Sequence, residues 1–224
     1  MKRYTAAFAA LSALTAPAYG NLLTNGSFEA RAVTAADNCL GFAWCVRSFA
    51  STPGWTQYAN GVDLIHNKYE QPGLPVLVDA SHGVQFLDMN QEGAIGGLAQ
   101  IVAATAGQTY TLSLDASAWA TNSRGGTIGY DLYDPSSNLV LATGGFTDPA
   151  GGTWVRRTLN AQAASNQIGV RVYSVFAAQA GMGLDNVVLN AAVPEPATWA
   201  MMIGGFGLMG FTARRHARRS VAYA

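Results

Sequence analysis

Charge is scarce in this 224-residue chain: only 12% of its residues are Asp, Glu, Lys or Arg, and there are two cysteines and three histidines. Little charge and little sulfur exclude several classes at once. There is no paired C-x-x-C set for structural zinc. His66 and His82 stand in no H-E-x-x-H or related spacing, so they read as core or surface histidines. No serine lies in a G-x-S-x-G elbow, which would also need a strand-to-helix setting. Gly93, Gly96 and Gly97 form a loose glycine pattern, but no helix follows to complete a phosphate cradle, so they read as a turn. Helical periodicity is nearly absent between Asn21 and Asn190, and no internal repeat stands out.

What is present begins at the two ends. Met1-Lys2-Arg3 precedes an apolar run from Tyr4 to Leu14 and then the small residues Ala16-Pro17-Ala18-Tyr19-Gly20. A positive flank, a short apolar core and an A-x-A cut are the layout of a secretory signal peptide over 1–20, cleaved before Tyr19 or Asn21. At the far end Val193-Pro194-Glu195-Pro196 leads into the charge-free stretch from Ala197 to Ala213, then Arg214, Arg215, Arg218 and Arg219. Seventeen uncharged residues are at the low edge of a bilayer span. The arginines would stop on the cytoplasmic side, Trp199 would sit at the interface, and 220–224 would be the cytoplasmic tail end. The expectation is therefore a transmembrane helix over 197–213.

Six of the thirteen basic residues belong to these ends, which leaves seven against twelve acidic residues in 21–192. That stretch has a net charge of about −5, and nucleic acid is excluded as a partner because phosphate binding needs a basic surface. Its length suits one domain. Cys39 and Cys45, an even pair in an exported chain, read as one disulfide.

The body consists of short runs rich in β-branched residues or alternating with period two, ended by Gly, Pro or Asn. The expected strands are Gly26 to Glu29, Val62 to His66, Gly83 to Met89, Gly97 to Ala103, Gln108 to Ala116, Gly126 to Tyr133, Leu139 to Thr143, Thr153 to Asn160, Gln167 to Phe176 and Gly183 to Leu189. In the ninth, Ile168, Val170, Val172 and Ser174 alternate against Gly169, Arg171 and Tyr173. The expected fold class is all-β, an antiparallel jelly-roll β-sandwich flanked by the signal peptide and one C-terminal transmembrane helix.

The Pro-Glu-Pro, the Thr-Trp-Ala-Met-Met-Ile that follows, the glycine-rich apolar stretch and the arginine cluster resemble the PEP-CTERM sorting signal over 193–219. The resemblance covers about 27 residues. It implies an exported substrate of the membrane enzyme exosortase, anchored in transit, with Pro194, Glu195 and Pro196 as recognition residues. The family occurs in Gram-negative bacteria that make exopolysaccharide and biofilm or floc matrix. Asn21 to Glu29, Gly83 to Asn90, Leu98 to Ile101 and Gly183 to Leu189 resemble the galactose-binding-like jelly rolls, which include carbohydrate-binding modules. That resemblance implies a structural calcium ion held by Glu29 and Asp185; the plainer reading is that Asp185 bonds turn backbone and Glu29 is a solvated strand end. Asp63, Asp79 and Asp88 are weaker ligand candidates that read as turn and edge residues.

A sugar needs an exposed ring for its apolar face and polar groups for its hydroxyl edge. Trp55, Tyr58, Trp119, Tyr130, Tyr133 and Trp154 are available, with Asn60, Asn122 and Arg124 as polar companions. Trp119 with Asn122 and Arg124, between two expected strands, is the carbohydrate-binding candidate. Core packing is the competing reading for every one of these rings. The functional expectation is a non-catalytic surface or extracellular-matrix protein that binds polysaccharide. The alternatives are a purely structural matrix component or a secreted glycoside hydrolase.

Overall fold

Strands arise where the period-two alternation is longest, because each such run can bury one face and leave the other to a second layer. The computed structural model describes residues 20–49, 51–90, 94–120, 126–148, 151–176, 181–192 and 196–220. The strands are β1 (Asn38–Cys39), β2 (Phe42–Ala43), β3 (Cys45–Phe49), β4 (Ser51–Thr52), β5 (Trp55–Gln57), β6 (Val62–His66) and β7 (Gln85–Asp88). They continue with β8 (Gly97–Ala103), β9 (Thr109–Ala118), β10 (Thr127–Asp134), β11 (Leu139–Thr147), β12 (Val155–Gln162), β13 (Gln167–Ser174) and β14 (Met182–Ala191). Two six-stranded antiparallel sheets form, ordered β11-β10-β13-β8-β5-β4 and β12-β9-β14-β7-β6-β3, beside the small β1-β2 hairpin.

The inner faces of both sheets share one core. Leu98, Ile128, Leu132, Ile168, Val170 and Val172 come from the first sheet, and Leu64, Leu87, Leu112, Leu114, Leu184 and Leu189 from the second. All are fully buried, and each such side chain contributes about 1.5–3 kcal/mol of transfer free energy. A second cluster lies on the opposite face of the second sheet: Ile65, Phe86, Trp119, Tyr69 and Val78 pack with Cys39 and Cys45. The two cysteines form the expected disulfide, with Cα atoms 5.6 Å apart.

Gly26 to Glu29 is not a strand. Asn25 and Phe28 take left-handed φ values of 55° and 60°, so the segment turns instead of extending. It nevertheless docks on β14, where the register shifts between Asp185 and Val188. Val187 N donates to Gly26 O (2.8 Å), and Asn21 bonds both Val187 O and Leu189 N through its side chain. Phe28 thereby reaches the core, 1% exposed, with its ring 5.5 Å from that of Trp55. The short strands β1 to β5 were not expected, because runs of two to five residues broken by Gly41, Pro53 and Gly54 carry no readable alternation.

The chain divides into a compact unit of Tyr19–Ala192 and a second unit whose described part is the helix α1 (Pro196–Ser220). Pro196 opens α1, where a missing N–H breaks no helical bond. The helix contains the expected span 197–213, and among the described residues no helix is long and apolar enough to cross a membrane. The physical reason is dilution. Gly204, Gly205, Gly207 and Gly210 lower the hydropathy of a stretch only 17 residues long, and arginines follow at once. The expected signal peptide lies outside the described residues except for Gly20, as do Pro194 and Glu195.

Candidate functional site: the outer face of the first sheet

The alternation in β13 sends Ile168, Val170 and Val172 into the core and Gly169, Arg171 and Tyr173 outward. Register then sets their neighbours. Arg171 stands opposite Asp131 of β10 and Ala99 of β8; Tyr173 is opposite Gly129 and Gly97; Gly169 is opposite Tyr133 and Ile101. The glycines make room for the rings. A Cβ on Gly129 would run into the Tyr173 ring, and one on Gly169 into that of Tyr133, so both rings lie low over the backbone of the next strand.

Arg171 is the hub of this face. Its Nη2 lies 3.3 Å from Asp131 Oδ2, and its Nη1 donates to Asn138 Oδ1 at 3.2 Å. Its guanidinium sits 4.2 Å from the Tyr133 ring centroid and 5.0 Å from that of Tyr58, within cation–π range of both. Tyr58 and Tyr173 contact each other at 5.7 Å, tilted by 54°, and Tyr173 Oη donates to Asp131 Oδ1 at 3.4 Å. Arg171 and Asp131 are 6% and 5% exposed, whereas Tyr58 keeps 46% of its surface in solvent. Burial pushes the Tyr133 and Tyr173 phenols up from their ordinary values, and the Asp131 carboxylate raises Tyr173 further, so both remain neutral donors at pH 7. Arg171 Nε is buried without a hydrogen-bond partner. The arrangement offers an apolar ring surface beside a dense set of polar donors and acceptors.

The expected sugar platform is elsewhere, and it is not a platform. Trp119 is 2% exposed, with Tyr69 and Phe86 rings at 6.2 Å and 5.9 Å. A covered indole cannot stack on a pyranose, so Trp119 is corrected to a core residue. Asn122 and Arg124 lie outside the described residues. Trp55 is a packed residue whose Nε1 donates to Asn25 O (3.0 Å), and Tyr130 points into the core. Of the rings weighed from the sequence, Tyr58 and Tyr133 reach the outer face. Arg171, Asp131 and Tyr173 were missed as site residues, although the alternation of Gly169, Arg171 and Tyr173 had already placed two of them on one side of a strand.

Glu29 and Asp185 come to the same short segment, 81–85, from two sides. Glu29 Oε1 accepts from the backbone N–H of Val84 and Gln85 at 2.9 and 3.1 Å. Asp185 Oδ2 accepts from His82 N (2.8 Å) and Ser81 Oγ (3.3 Å), and its Oδ1 from Asn186 N (2.6 Å). As they stand, the two carboxylates clip a turn by hydrogen bonds, and a cation would have to displace those donors. Among the described residues no group of three or more His, Cys, Asp or Glu is placed to hold a metal ion. Asp63 and Asp88 are not turn or edge residues: they face each other on β6 and β7, both buried.

Three comparisons bear on this architecture. An arabinose-bound α-L-arabinofuranosidase, MgGH51, is similar in structure, with a TM-score of 0.50 and 17% identity over 77% of this chain. This chain spans only 26% of that enzyme's length. A carbohydrate-binding module, TmCBM61, in complex with β-1,4-galactotriose has a TM-score of 0.47 and 14% identity, covering 77% of this chain and 99% of that one. The enzymatically active domain of tailspike protein 4 of bacteriophage CBA120 has a TM-score of 0.45 and 17% identity, covering 77% of this chain and 21% of that one. No curated protein matches the chain in sequence. At such identities the likeness is one of fold alone, an antiparallel jelly-roll sandwich. The C-terminal segment is more specific: residues 192–219 match the PEP-CTERM protein-sorting motif, which marks the chain as an exported protein.

Proposed function

We propose that this protein is a non-catalytic, exported polysaccharide-binding component of the cell surface or extracellular matrix. The observation that carries the reading is the Tyr58–Arg171–Tyr133 stack with Tyr173 and Asp131, presented together on one outer sheet face. Exposed aromatic surface takes the apolar face of a sugar, while fixed polar groups at its edge take hydroxyls. A glycan array on the purified protein tests it. Saturable binding that falls in Tyr58→Ala is the expected result. No saturable hit would sink the sugar reading and leave a purely structural matrix component. Hydrolase activity lost on changing an Asp or Glu would promote the glycoside hydrolase instead.

The sorting motif carries the second half of the proposal. An exosortase-type enzyme acts at Pro194-Glu195-Pro196 while the C-terminal sorting segment holds the chain transiently at the inner membrane, and the product then moves to the surface or medium. Intact mass of the secreted product checks this, because processing there removes α1. Calcium stays a proposal for the clip of Glu29 and Asp185. An unchanged melting midpoint with calcium and with chelator would remove both as ligands.

A further inference from the structure

We infer that the ligand of the outer face is a neutral polysaccharide and not a uronic-acid or otherwise anionic one. This rests on the reading of that face as the sugar site. Among the described residues Arg171 is the only cation at the outward positions of β8, β10 and β13, and it is already spent: its charge is held by Asp131 at 3.3 Å, and the Tyr133 and Tyr58 rings pack within cation–π range of its guanidinium. At 6% exposure it presents almost none of its guanidinium to a carboxylate in solution. An incoming anion would have to compete with Asp131 inside a site that burial has made poor in water, where like charges repel strongly. The whole domain opposes it as well, since seven basic residues stand against twelve acidic ones in 21–192.

What remains for recognition suits hydroxyl groups. Tyr58 gives an exposed ring, and the half-buried Tyr173, whose proton goes to Asp131, can still accept a hydrogen bond at its phenol oxygen. Neutral hexose units carry hydroxyls that can donate to such an acceptor and an apolar ring face that can lie on Tyr58, and they add no charge.

The test is binding of the purified full chain to neutral glucans, galactans and mannans, and separately to alginate and polygalacturonate, at about 0.05 and 0.5 M salt. The expected result is saturable binding of a neutral polymer, nearly independent of salt and weakened about tenfold in Tyr58→Ala. Asp131→Asn, which uncovers the guanidinium charge, is expected to gain about tenfold for the uronic-acid polymers. Salt-sensitive binding of a uronic-acid polymer by the unaltered protein, lost in Tyr58→Ala, overturns the neutral assignment while the face remains the site. Binding of no polymer, or binding indifferent to Tyr58→Ala, overturns the face itself. A folded Asp131→Asn that gains nothing overturns the argument from charge neutralisation. If that variant does not fold, the salt dependence of the unaltered protein decides alone.

Discussion

Asp115 and Asp185 face each other as register partners across β9 and β14, and the two carboxylates are held unequally. Asp115 has Arg156 at 2.9 Å and the Asn186 side-chain amide at 3.0 Å, and it shares the Ser81 hydroxyl with Asp185. Asp185 has backbone donors and the shared Ser81 hydroxyl, but among the described residues it has no ion-pair partner. Burial above all pushes its carboxyl up to about 7, against its backbone bonds and with a smaller contribution from Asp115. A folded value above the unfolded one means that the folded state holds the proton more tightly. The stability this supplies is complete below about pH 4 and is lost as pH rises toward 7. Thermal melting between pH 4 and 8 should show that decline, and Asp185→Asn should flatten it.

The same logic applies more strongly to Asp88, fully buried opposite Asp63, where burial first and the facing carboxylate second raise its carboxyl well above the ordinary range. Its Oδ1 accepts from Asn90 N and Gly181 N, bonds that an amide oxygen can keep. Asp88→Asn should therefore raise the melting midpoint at pH 7 and do little at pH 4.

Trp119 offers a clean separation of core from site. Trp119→Ala should destabilise by about 3–5 kcal/mol through the cavity left between Tyr69 and Phe86. Trp119→Phe should recover part of that loss and bind glycans like the unaltered protein. Chemical denaturation combined with the glycan assay checks both.

Gly169→Ala probes the face through the backbone. The new methyl meets the Tyr133 ring, which must swing off Arg171. The expected cost is about 1–3 kcal/mol of stability, together with weakened glycan binding. An unchanged affinity would detach Tyr133 from the site.

Replacing Cys39 and Cys45 together by Ser should lower stability by about 2 kcal/mol, since the bridge closes a short loop. The exposed Tyr58 face lies on the other sheet, so affinity for glycans should not change; a melting curve and a binding isotherm on one preparation check the pair.

Much of the architecture was legible because it rests on local patterns. Alternation in Thr109–Ala118 and Gln167–Ser174 names a buried and an outward side whatever the partner strand is. The site was half legible. The outward set of Gly169, Arg171 and Tyr173 was visible, but Asp131 joins it through the β10–β13 register, some forty residues away in sequence. The turn at Gly26 to Glu29 was misread as a strand because nothing local reveals that Asn25 and Phe28 adopt left-handed φ.

The amino-acid sequence by itself determined the sorting motif with its arginine stop, the cysteine pair and the two-layer β architecture. Each of these is carried by neighbours along the chain: residue order, a six-residue spacing, a period of two. Only the tertiary structure decided which aromatic ring meets solvent. Trp119 and Tyr58 look equally available as letters, yet Phe86 and the 67–80 segment cover the first, while the second lies exposed beside Arg171 and Tyr173. Exposure depends on what the rest of the chain lays over a residue, and that coverage comes from contacts distant in sequence.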